Sequence, residues 1–144
     1  MESVKTLLGK KHGGVYWLTS HATPAELEKA AKNAHYAYFH IEGQRLDKKQ
    51  QFLNHAALAM HFPDYFGDNW DAFEDCLTDL SWIDAEQYII VLDHTDVFAE
   101  HAPQHFDTLV EILKEAAEYW RGQGKPLIVL LRGKHKVDGL ETVG

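Results

Sequence analysis

The sequence predicts an α/β fold: one domain with a small parallel sheet covered by helices. Three observations carry that expectation. A length of 144 residues suits a single hydrophobic core. The runs Tyr88-Ile89-Ile90-Val91-Leu92 and Leu127-Ile128-Val129-Leu130-Leu131 are continuously apolar, as strands buried on both faces must be. Strand-like and helix-like stretches also alternate, in the order strand, helix, strand, two helices, strand, helix, strand, which favours right-handed crossovers and parallel pairing.

Residues 1–13 are polar, end in Lys10, Lys11, His12 and Gly13, and read as a mobile arm. Residues 14–35 read as an additional strand-helix unit on the same domain. Val15 to Leu18 is short, β-branched and aromatic, and predicts a strand. Thr23, Pro24 and Glu26 then form a capping box with proline at the first helical position, opening a helix striped by Leu27, Ala30, Ala31 and Ala34. This unit adds one strand to the edge of a three-stranded sheet, and a self-association surface is its other reading.

Tyr36 to Ile41 reads as the next strand, turning at Glu42-Gly43. Asp47 is placed to cap a helix in which Phe52, Leu53, Ala56, Ala57 and Met60 recur at helical spacing, and Pro63 stops it. A third helix runs from about 69 to 80. After the strand at 88–92, residues 93–101 read as a loop or short helical turn. Pro103 opens a long helix with Phe106, Leu109, Val110, Leu113 and Ala117 on one side, ended by Gly122 and Gly124. The strand at 127–131 closes the main domain, 36–132, and residues 133–144 read as a tail.

Charge narrows the function. Asp plus Glu number 22 against 14 Lys plus Arg, a net −8, so broad affinity for nucleic-acid phosphates or an anionic membrane is excluded and partners are expected to be neutral or basic. Between Lys49 and Lys114 no Lys or Arg occurs, while 13 carboxylates do. The lone Cys76 allows no internal disulfide and no cysteine zinc cluster. Without an apolar leader or a run of the ~18 apolar residues that crosses a bilayer, the expected location is the cytoplasm.

The segment from His61 to Leu80 holds six carboxylates and no Lys or Arg. With Asp68 or Asn69 as cap, Phe73, Cys76, Leu77 and Leu80 fall on one helix face, and Asp71, Glu74, Asp75, Thr78 and Asp79 on another. The helix dipole accounts for Asp68 and Asp71 near the N-terminus. Glu74, Asp75 and Asp79 lie beyond it, and like charges at helical spacing cost about 0.2–0.5 kcal/mol per pair. A solvated acidic face is the simplest account from composition alone.

The run Phe62-Pro63-Asp64-Tyr65-Phe66-Gly67-Asp68-Asn69-Trp70-Asp71-Ala72-Phe73-Glu74-Asp75-Cys76-Leu77-Thr78 resembles the signature of barstar and the barstar-related ribonuclease inhibitors. The likeness extends more weakly over about residues 36–131. It implies the barstar fold and a non-catalytic role, in which a helix and its adjoining loop plug the active site of a small basic ribonuclease. By motif position, the resemblance makes Asp75 the carboxylate that enters the enzyme's phosphate site. It places Tyr65 against the catalytic region, Asn69 and Asp71 on polar or basic groups, and Thr78 at the rim. Glu74 stands where the family has tryptophan, Phe66 where it has a second tyrosine, and Trp70 where it has a smaller aliphatic residue. All three are contact positions, which implies a different cognate enzyme. A further family glutamate corresponds to Glu115 or Glu118.

Gly67 is expected to supply an unusual backbone turn, and Cys76 a core thiol. Asp93 and His94, at the end of a strand, with His101 and His105, make up a His/Asp metal-enzyme reading. Pro103 interrupts that spacing and no catalytic or phosphate-loop motif accompanies it, so solvated or capping histidines, no metal, no cofactor and no enzyme are the expectation. The remaining alternative is a barstar-fold interaction module for some other basic protein, and the chain is expected to be a monomer or weak homodimer.

Overall fold

The structure is a computed structural model and describes residues 1–64 and 66–144. Along the chain run α1 (Val4–Lys10), β1 (Gly14–Leu18), α2 (Pro24–Asn33), β2 (Ala37–Glu42), α3 (Lys49–Ala59), α4 (Trp70–Leu77), β3 (Tyr88–Asp93), α5 (Thr95–His101), α6 (Pro103–Gly122), β4 (Leu127–Leu131) and β5 (Glu141–Val143). The strands form one five-stranded sheet in the order β2-β3-β4-β1-β5, and every pairing is parallel. The α/β class with a parallel sheet is thus the fold that the apolar runs predict. Strands β3 and β4 lie inside the sheet and are buried at every position, as their unbroken hydrophobicity requires.

Alternation along the strands divides the core into two layers. Phe39, Ile41, Ile90, Leu92, Val129 and Leu131 point to one side, where they meet Phe52 and Leu53 of α3, Phe73 and Leu77 of α4, Phe98 of α5 and Leu109, Leu113 and Trp120 of α6. Tyr16, Leu18, Ile89, Val91, Ile128 and Leu130 point to the other, against α1 and α2. Helix α4 therefore lies on the four-helix side, its position set by the burial of Phe73, Cys76 and Leu77.

Both termini differ from the expectation. Residues 4–10, read as part of a mobile arm, form α1, whose N-cap Ser3 accepts a hydrogen bond from the Thr6 amide. Val4, Leu7 and Leu8 are buried, and the Tyr36 hydroxyl donates to the Leu8 carbonyl at 2.9 Å. The 133–144 tail contains β5, which pairs with β1. Consequently β1 is an interior strand between β4 and β5, where an edge position was expected. The termini hold each other: Glu2 bridges Val143, and the Val4 amide donates to the Gly144 carbonyl at 3.2 Å. This pairing joins ends more than a hundred residues apart, so local composition does not reveal it.

The Thr23 capping box forms as read, with the Thr23 amide donating to Glu26 Oε1 at 3.0 Å and the Glu26 amide to Thr23 Oγ1 at 3.1 Å. Asp47 does not cap α3: the cap is Lys48, without a side-chain bond, and the Asp47 amide donates to Gln51 Oε1. Of the two readings of 93–101, loop or short helical turn, the structure has the second, as the seven-residue α5. Among the described residues no helix is long and apolar enough to cross a membrane.

Candidate protein-binding site

Local chemistry sets the entry to α4. Asn69 is its N-cap: Oδ1 accepts from the Ala72 amide at 2.8 Å, and Nδ2 donates to the Gly67 carbonyl at 3.2 Å. The same side chain thus starts the helix and closes the turn before it. The left-handed residue of that turn is Asp68 (φ 53°), a side chain that tolerates this region, and not Gly67 as expected. Tyr65 lies outside the described residues.

Aromatic packing supports the helix from below. Half-buried Trp70 sits with its ring centroid 6.0 Å from Phe52 and 5.7 Å from Phe73, and its indole Nε1 donates to His105 Nδ1 at 3.3 Å. Phe66 meets Phe62 edge-on at 5.1 Å, and Phe62 in turn meets Trp82. Phe66 and Trp70, both expected to face a partner, are therefore partly committed to the protein's own core margin. His105 joins this cluster from α6, and no sequence spacing connects it to Trp70.

The polar face of α4 is as the periodicity predicts. Asp71, Asp75 and Asp79 are exposed, while Phe73, Cys76, Leu77 and Leu80 are buried. None of the ion pairs formed among the described residues involves Asp71 or Asp75. The Thr78 hydroxyl donates to the Glu74 carbonyl at 2.9 Å, so it helps end the helix and keeps its oxygen lone pairs. Burial, with Asp79 and Asp75 nearby, pushes the Cys76 thiol up, as suits a core thiol.

Glu74 behaves differently from its neighbours. Its carboxyl shares a hydrogen bond with that of Glu115 on α6, and this bond raises its pKa, with burial and repulsion from Glu115, Asp75 and Asp71 acting in the same direction. The two α6 glutamates lie in different surroundings. Glu115 stands beside Glu74, whereas Glu118 pairs with Arg121, whose guanidinium donates to the Gly13 carbonyl at 2.6 Å beside the start of β1. Asn69, Asp71, Glu74, Asp75, Thr78 and Glu115 thus belong to one surface, and Glu118 does not.

Of the residues in the metal-enzyme reading, His101 and His105 lie apart from Asp93 and His94. His101 Nδ1 bonds the Val97 carbonyl within its own helix, His105 lies on Trp70, and His94 and Asp93 face other partners. Asp93 instead belongs to a buried polar knot at the C-terminal end of the sheet. Arg132 Nε donates to Asp93 Oδ1 at 2.5 Å, and Arg132 Nη1 donates to the carbonyls of Ser20 and Ala22 at 2.9 and 2.7 Å. His40 Nε2 is 2.9 Å from Asp93 Oδ2. Burial pushes the Asp93 carboxyl up, but the hydrogen bonds from His40 and Arg132 and the guanidinium charge outweigh it and hold the group at about 2.

Known proteins resemble this chain in sequence and in fold. The family model described as Barstar (barnase inhibitor) matches residues 36–132. A Bacillus subtilis (strain 168) protein named "Putative ribonuclease inhibitor YrdF" is 33% identical over 88 residues, covering 61% of this chain and 93% of the relative. A chain from a structure of Drosophila ORC bound to DNA aligns with a TM-score of 0.57 at 14% identity, over 94% of this chain. This chain spans only 38% of that one, and at such identity the likeness is one of fold.

Proposed function

The chain belongs to the barstar family, and from that premise we propose that it inhibits a small basic ribonuclease by presenting the polar face of α4 to the enzyme's active site. One observation carries this reading: Asp71 and Asp75 project from a helix whose opposite face is anchored in the core, and no described Lys, Arg or His pairs with them. Such carboxylates are already positioned, so a guanidinium or ammonium from a partner gains charge-assisted hydrogen bonds with little further ordering. Asp75 is the group that occupies the phosphate position. Asn69 holds the turn, and Glu74 with Glu115 offers a second acidic point to a basic side chain. The inhibitor contributes no chemistry of its own; it competes with RNA for the cations that bind phosphate.

The test is inhibition of a panel of barnase-like ribonucleases at low salt, with the wild-type chain beside Asp75→Ala. Tight inhibition by the wild type is expected. Removing one partner of a desolvated charge pair costs about 3–5 kcal/mol, so Asp75→Ala should lose at least about a hundredfold in affinity. Inhibition that survives the substitution rules out this mechanism. Should no enzyme of the panel bind, the replacements Glu74 and Trp70 direct the search to another basic protein.

A further inference from the structure

We propose that the C-terminal ends of β2 and β3 form a binding site for one divalent transition-metal ion of the zinc class, held by His40, Glu42, Asp93 and His94. The residues converge through sheet geometry. His40 and Glu42 are two apart on β2 and so share a face, and the parallel register sets Glu42 beside Asp93. His94 follows Asp93 directly. One ligand atom each from His40, Glu42 and Asp93 lies within 4.8 Å of the others. His94 lies outside that trio, with Nδ1 2.6 Å from Glu42 Oε2, and its exposed side chain would turn inward to serve as the fourth ligand.

Donor chemistry selects the ion. Two imidazoles with two carboxylates suit zinc and its neighbours, whereas calcium and magnesium call for a shell built mainly of oxygen. Arg132 supplies the outer support that metal ligands commonly have: it grips Asp93 through both oxygens, Nε to Oδ1 at 2.5 Å and Nη2 to Oδ2 at 3.1 Å, and Oδ2 also faces His40. The surrounding backbone is held equally firmly. A Cβ on Gly43 would come within 2.6 Å of the Asp93 carbonyl and 2.8 Å of the His94 carbonyl, so the end of β2 is pressed against the end of β3. His94 itself is kept in the left-handed region at φ 54°. A solvent-open cleft of about 460 Å³ gives an ion access to Glu42, Asp93 and His94.

Without metal, each imidazole rests on a carboxylate; with it, the ion takes the place of those two hydrogen bonds. Binding must therefore weaken as the imidazoles become protonated. Because the ion would tie β2 to the start of α5, it should also raise the melting temperature by mass action. The site lies beyond the row of side chains facing α1 and α2, across the sheet from α4, and is independent of the inhibitory surface.

Untagged, chelator-treated full-length protein should be titrated with zinc by calorimetry and with cobalt by visible absorption. The expected result near pH 7 is one saturable equivalent and a cobalt band of low-symmetry coordination. His40→Ala and His94→Gly, the latter suited to the left-handed backbone, should each weaken affinity at least about tenfold. His101→Ala, His105→Ala and Asp75→Ala should bind as the wild type does. Melting curves of the metal-free variants establish that they are folded. Absence of saturable binding, or binding indifferent to the folded His94→Gly variant, overturns the site.

Discussion

At the scale of single residues, the same carboxylate chemistry has opposite consequences at two places. Asp93 is buried against Arg132 and His40 and titrates at about 2. Its folded-state pKa lies below the unfolded value near 3.9, so its stabilisation is complete above that value and disappears as pH falls through about 2. Asp93→Asn would leave the guanidinium of Arg132, with its side chain only 19% exposed, without its counter-charge. We expect a loss of about 3–5 kcal/mol in urea unfolding at neutral pH, shrinking under acid conditions. Glu74 is shifted upward, chiefly by its hydrogen bond with Glu115. Between the ordinary carboxylate range and that raised value the folded chain binds more protons than the unfolded one, so stability declines as pH rises through the window. Glu74→Gln should therefore raise the melting temperature at neutral pH, with the difference closing below the ordinary range. Asp75 could be identified by motif position, but the Glu74–Glu115 pairing could not, because it depends on how α6 crosses α4.

At the scale of elements, capping and periodicity explain α2 and α4, while burial explains α1. Ser3 followed by Val4, Leu7 and Leu8 carries an N-cap and a helical stripe in seven residues, a length too short to be stable alone. Its stability comes from docking: Leu7 and Leu8 are each 2% exposed in the layer beneath α2. Leu8→Ala should destabilise the domain by about 2–5 kcal/mol, measured as a shift in the urea midpoint at unchanged slope. A mobile arm would show no such loss. Strand β5 is legible only in part for a similar reason. Three residues, Glu141, Thr142 and Val143, make no pattern, and only the free edge of β1 makes them a strand.

At the scale of the whole molecule, the net charge of −8 and the exposed aspartates of α4 bear on association kinetics. For a basic ribonuclease partner, the association rate should fall steeply as ionic strength rises from about 0.01 to 0.15 M, where the screening length contracts from about 30 to 8 Å. Stopped-flow mixing would measure it, and a dissociation rate that changes much less is expected, since contacts already formed are screened little. A flat association rate would mean that the charge does not guide encounter.

The sequence by itself determined the α/β class, the two central strands, the caps of α2 and α4 and the two-faced character of α4, because period, capping and strand burial are properties of neighbours in the chain. It also carried the family signature from Phe62 to Thr78. Only the tertiary structure decided the strand order, the clasp of the two termini, the pairing of Glu74 with Glu115, the seat of His105 on Trp70 and the gathering of His40, Glu42 and Asp93 with His94 beside Glu42. Each of these depends on residues far apart in sequence meeting across a sheet or between helices, and no local pattern encodes such a meeting.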